Sequence, residues 1–195
     1  SWMAESIPET VIQISTFFDC RYIYGEEPII NELKDFLDTE LQKPHERLFY
    51  FMAKNALQYE PPLTMFFKNI KTFTVGTHEV FDIKKAMTPI VDLVRVYALK
   101  NRVFEINTGE RMKALQEKNI FSLTEKQELM QAYYIMMGMR LKKHATQITQ
   151  DKTAPDNYIN LESLTKIEQM TLKEIFKTIE NFQSKIKMAF TNTLS

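Results

Sequence analysis

The chain has 195 residues, with 25 basic and 25 acidic side chains and no formal net charge. That balance argues against a general nucleic-acid or anionic-membrane binder. Cys20 is the only cysteine, so an intrachain disulfide is impossible and the usage fits a reducing, cytoplasmic setting. No apolar run reaches bilayer-spanning length, and the start lacks the order of a signal peptide. The chain does not begin with Met and reads as part of a multidomain protein. The expected division is a lead-in segment over 1–27, joined to an upstream domain, and a helical bundle over 28–195. Four glycines against 14 Phe and 11 Met suit a helical fold with an adaptable core.

In chain order, residues 1–15 read as a lead-in helix before Phe17-Phe18. Residues 28–42 place Ile29, Ile30, Leu33, Phe36, Leu37 and Leu41 at helical spacing. Pro44 opens a second helix through Leu48, Phe49, Phe51, Met52 and Leu57, and Pro61-Pro62 breaks it. A short helix is expected over Leu63 to Phe67. Residues 70–81 are the least helical part, either an extended loop or a small hairpin about Gly76. Thr88 as cap and Pro89 in the first turn predict a helix over about 88–101. From Ile90 to Leu99 it is apolar nearly all round and should be buried. Asp92 and Arg95 nevertheless sit inside it, neighbours on one face. Asn107 with Glu110 has capping-box spacing for a helix to about Lys118. Ser122 with Glu125 repeats that signal for a long helix to about Ile148. A polar loop follows over 149–160. Thr165 with Glu168 caps the last helix, to about Phe190. Long helices on short connectors predict an all-α antiparallel bundle, with 123–148 packed against 165–190.

Signatures of chemistry are missing. His45, His78 and His144 are scattered singly, and no Cys-His set has zinc spacing. There is no Walker loop, no Gly-rich dinucleotide loop and no Gly-x-Ser-x-Gly elbow. Asp35 and Asp38 lie on an amphipathic helix, where a solvated face explains them. Catalytic and metal-ligating residues are therefore expected to be none.

Four motifs carry a resemblance. They are Phe17-Phe18-Asp19-Cys20-Arg21 with Gly25; Asp82, Lys84, Pro89 to Leu93, Arg95 and Tyr97 to Leu99; Asn107-Thr108 with Glu110-Arg111; and Ala154-Pro155-Asp156-Asn157-Tyr158-Ile159. In this order the chain resembles the C-terminal substrate-binding domain of bacterial nucleotidyltransferases. Those proteins often also carry cyclic-nucleotide-binding and CBS modules and are similar to PII uridylyltransferases. The resemblance implies a helical bundle and an upstream catalytic domain in the same polypeptide. It implies that Mg and a nucleoside triphosphate serve that domain, with no cofactor in this fragment. A protein or small-molecule acceptor is implied too, and neither nucleic acid nor membrane is expected as a partner. The catalytic half's Gly-Ser turn and Asp-x-Asp pair are missing here, so the fragment alone is expected to be inactive. Where the family often has an Arg-His-Gln run, this chain reads Lys142-Lys143-His144.

The remaining polar constellation is Asp19, Arg21, Asp82, Lys84, Asp92, Arg95, Asn107 and Arg111. On the functional reading, Lys84, Arg95 and Arg111 face a phosphate or an acidic acceptor, oriented by Asp82 and Asp92. On the structural reading, Asp92–Arg95 and Asp19–Arg21 are internal pairs that fix packing, and Asn107 is a cap. Two functions stay open: an accessory half that closes over a catalytic domain, and a regulatory module that relays signals from sensory domains. Cations opening to solvent favour the first. A sealed ion-pair network beside an exposed apolar face favours the second.

Overall fold

A computed structural model describes residues 11, 18–65 and 69–190. The expected lead-in helix over 1–15, Phe17 and the end of the expected short helix at Phe66 and Phe67 lie largely outside these. The first described helix, α1 (Glu27–Glu40), carries Pro28 in its opening turn and buries only Leu37. Helix α2 (Glu46–Ala56) starts two residues after Pro44 and buries Leu48, Phe49, Met52, Ala53 and Ala56. Leu63 does not begin a helix; it bridges antiparallel to Ile70.

The ambiguous stretch over 70–81 is a hairpin. Strand β1 (Phe73–Val75) pairs with β2 (His78–Asp82), with Val75 opposite His78. Gly76 takes φ 62, the left-handed conformation that a two-residue hairpin loop demands. A third strand, β3 (Tyr158–Asn160), comes from the segment expected to be loop. It lies antiparallel to β2, with Phe81 opposite Ile159.

Strand β2 runs straight into helix α3 (Ile83–Lys100). This corrects the expected start at Thr88. Asp82 is the cap, its Oδ1 accepting from Lys85 N at 3.0 Å, and Pro89 lies inside the helix. Thr88 instead donates back to the Lys84 carbonyl. Sheet pairing of Asp82 with Tyr158 decides where the helix starts.

Helix α3 buries ten residues, Ile83 to Leu99, and packs against α2 and three later helices. These are α4 (Thr108–Glu117), α5 (Leu123–Thr146) and α6 (Lys166–Phe190). Tyr97 on α3 stands edge-on to Phe121 and Phe190, with ring centroids 5.2 Å away in each case. Asn107 caps α4, but Glu110 turns to Lys113 rather than back to the cap, so the box is half formed. Ser122 and Glu125 make the full reciprocal box at α5, and Thr165 and Glu168 bond reciprocally at α6. A π-helical turn (Gln147–Asp151) ends α5. Lys185 near the end of α6 pairs with Glu125 at the start of α5, so the two helices run in opposite directions. The fold is mainly helical, as expected, with the three-stranded sheet as its non-helical part.

Candidate functional site

The polar residues of α3 belong to a linear chain of charges. Arg95 Nη1 donates to Asp92 Oδ1 at 2.8 Å, one turn back on the same helix. Its Nη2 donates to Asp19 Oδ2 at 2.7 Å. The other oxygen of Asp19 accepts from Arg111 Nη2 at 2.5 Å, and Arg111 Nε donates to the Glu105 carbonyl. Helix α3 supplies Asp92 and Arg95, and α4 supplies Arg111, which is 1% exposed. Asp19 stands between the two guanidinium groups.

Two acids and two bases balance. Burial would raise the Asp19 pKa, but the hydrogen bonds from Arg95 and Arg111 prevail and hold it below the usual value. At Asp92 burial wins, and its pKa is raised despite Arg95. Burial likewise lowers the Arg111 pKa, with Asp19 acting against it. Arg95 Nε is buried with no partner among the described residues. The cavity beside it, lined by Val11, Met52, Asn55, Asp92, Arg95 and Val96, is about 10 Å³. That is at the lower limit for one water and too small for a phosphate. Both carboxylates face guanidinium cations, which would repel a metal ion.

The other expected site residues lie apart from this chain of charges. Asp82 is spent as the α3 cap. Lys84 is exposed in the first turn. It precedes Arg95 by eleven residues, which puts it about 16 Å away along nearly the same face. Asn107 is a cap, its Oδ1 accepting from Gly109 N at 2.8 Å. The proposed Asp19–Arg21 pair gives way to a different partnership: Asp19 binds Arg95 and Arg111, and Arg21 is exposed.

A second polar cluster escaped the sequence reading. Asp156 Oδ2 accepts from Gln147 Nε2 at 2.7 Å, and Asp156 N donates to Gln147 Oε1 at 3.1 Å. Lys143 bonds the Asp156 carboxylate and the Tyr158 carbonyl, while the His144 ring meets the Asp156 carbonyl at 2.9 Å. Arg140 Nε donates to Asn157 Oδ1 at 2.8 Å, and the Asn157 carbonyl accepts from Ile83 N at 2.9 Å. Burial acts to raise the Asp156 pKa, but Lys143, the Tyr158 amide and Gln147 together lower it. The loop is thus clamped to the end of α5 and the start of α3. The available signal was Arg140, His144 and Gln147 at i, i+4 and i+7 on one helix face.

Among the described residues, no group of three or more His, Cys, Asp or Glu could hold a metal ion. Nor is any described helix long and apolar enough to cross a membrane. Neither the curated proteins nor the solved structures contain a match to this chain. A family model described as "putative nucleotidyltransferase substrate binding domain" matches residues 46–190. That match takes in α2 through α6, both arginines of the charge network and the clamped loop, and the chain belongs to this family.

Proposed function

We propose that this domain is the accessory half of a nucleotidyltransferase and helps to hold an acceptor against a catalytic domain elsewhere in the polypeptide. The observation that carries the reading is the division of labour among the cations. Arg95 and Arg111 are committed to Asp19 and Asp92 in a closed network, whereas Lys84 is exposed on the same helix. In this reading the arginines fix the geometry of the bundle, and Lys84 meets the phosphate or acidic group. Mg and the nucleoside triphosphate belong to the catalytic domain. Full-length Lys84→Ala is the test: KM for acceptor or nucleotide rises while the melting temperature stays put. Unchanged kinetics with every acceptor would end the reading.

A second reading is favoured by the sealed Asp92–Arg95–Asp19–Arg111 network beside an exposed apolar face, and by the position of Asp19 within it. Asp19 ties the segment before α1 to both α3 and α4, so a displacement of that segment reaches two helices. Such a clasp suits a module relaying the state of cyclic-nucleotide-binding or CBS domains, in the manner of PII-uridylyltransferase-like proteins. Hydrogen exchange on the full-length protein tests it. Sensory ligand should change protection in α3 and α4, and identical protection would count against the relay.

A further inference from the structure

Helix α5 is apolar on two opposite sides. One side buries Leu129, Ala132 and Met136 in the core. On the other side Leu123, Tyr134 and Leu141 are 56, 51 and 58% exposed, and Ile148 in the π turn is 55% exposed. Gly138 and Ala145 are exposed on the same side, and Met130 is half-buried beside it. From Leu123 to Ala145 these positions stay within about 40° of one line along the helix. Gly138 is the odd member. A glycine inside a helix costs about 1 kcal/mol relative to Ala. Among the described residues nothing lies within 4 Å of where its Cβ would be, so the fold itself does not ask for it.

The stripe is self-complementary when reversed. Leu123 with Ile148, Met130 with Leu141, and Tyr134 with Gly138 are pairs that all centre on residues 135–136. So is the charged pair on one flank, where Glu128 and the oppositely charged Lys142 are both exposed. Lys142 also feels Glu168 within its own chain, but that contact is solvent-facing. We propose that this face is a homodimer interface, in which two copies of α5 lie antiparallel about a two-fold axis near Ile135. Each Tyr134 keeps its hydroxyl against Gly109 of its own chain and turns the exposed half of its ring to the bare backbone at the partner's Gly138. Each Glu128 meets the partner's Lys142. An isologous contact requires such pairing of a patch with its own reverse. The exposed apolar area is roughly 500 Å² per copy, so the pair buries about 1,000 Å², at the low edge for a specific interface. The dimer should therefore be weak and reversible.

Sedimentation velocity of the 195-residue chain, from about 1 µM to several hundred µM, tests this. The expected result is a concentration-dependent monomer–dimer equilibrium. Leu141→Glu should leave monomer only. Lys142→Glu should weaken association at least tenfold, and Glu128→Lys combined with Lys142→Glu should restore it. All three positions are exposed, so unchanged circular dichroism certifies the fold. Gly138→Leu should raise the melting temperature of the monomer and abolish the dimer. A wild-type chain that stays monomeric throughout overturns the proposal and assigns the stripe to another partner. A dimer indifferent to Leu141→Glu, or a charge swap that fails to restore association, overturns it as well.

Discussion

Asp19 and Arg111 are 92 positions apart in the chain and meet at 2.5 Å. Among the described residues Arg111 is the largest fully buried side chain, and its Nη2 and Nε donate to Asp19 and to the Glu105 carbonyl. Removing the cation leaves Asp19 facing Arg95 alone and empties a large volume in the core. Arg111→Ala should cost about 3 kcal/mol, toward the low end for a broken buried pair because Asp19 is 32% exposed to water. Denaturant melts measure this, and a loss below about 1 kcal/mol would contradict the network.

The two acids should pull the pH dependence in opposite directions. The Asp19 pKa is lowered in the fold, so its stabilisation is full above the ordinary carboxylate range and is lost as pH falls through its folded value. The Asp92 pKa is raised, so the folded state takes up its proton first, and acidification through that range favours folding. Asp19→Asn should flatten the loss of stability below about pH 4, and Asp92→Asn should remove the stability gained on acidification above that pH, between its raised folded value and the ordinary carboxylate range. Urea melts at a series of pH values separate the two, and identical slopes in both variants would refute the assignment.

Gly109 sits at the start of α4 because Tyr134 of α5 lies against it. A Cβ at Gly109 would come within 2.3 Å of the Tyr134 hydroxyl oxygen. Tyr134 is half-exposed and can swing away, so Gly109→Ala should cost only about 1 kcal/mol. In a Tyr134→Ala background the same change should cost nothing or stabilise, since Ala favours the helix. A double-mutant cycle reads the coupling, and additivity of the two changes would show that the contact is not felt.

Asp156 holds its loop through Gln147, Lys143 and the Tyr158 amide. Asp156→Ala should cost about 1–2 kcal/mol and loosen β3. The amides of Ile83 and Tyr158 should exchange faster, because the same loop accepts from Ile83 N. Hydrogen exchange resolved at those two amides checks this, and unchanged protection would mean that the sheet alone positions the loop.

Local sequence determined much of this protein. Whereas the local signal over 70–81 allows either a loop or a hairpin about Gly76, the caps at Asn107, Ser122 and Thr165 and the periodicity of the long helices depend on residues within one or two turns of each other. Burial of the Ile90–Leu99 stretch was legible for the same reason, as was the Asp92–Arg95 pair one turn apart. Where local signals conflicted, only the tertiary structure could decide. Both Asp82 and Thr88 can cap a helix, and the choice fell to Asp82 because β3 pairs with β2 up to that residue. The partner of Asp19 was equally hidden, since Arg21 and Arg95 are equivalent cations on paper. Packing brings α3 and α4 against the segment before α1 and gives Asp19 two guanidinium groups, while Arg21 is left facing water. Propensity and spacing act along the chain, but a buried charge takes the partner that the fold carries to it.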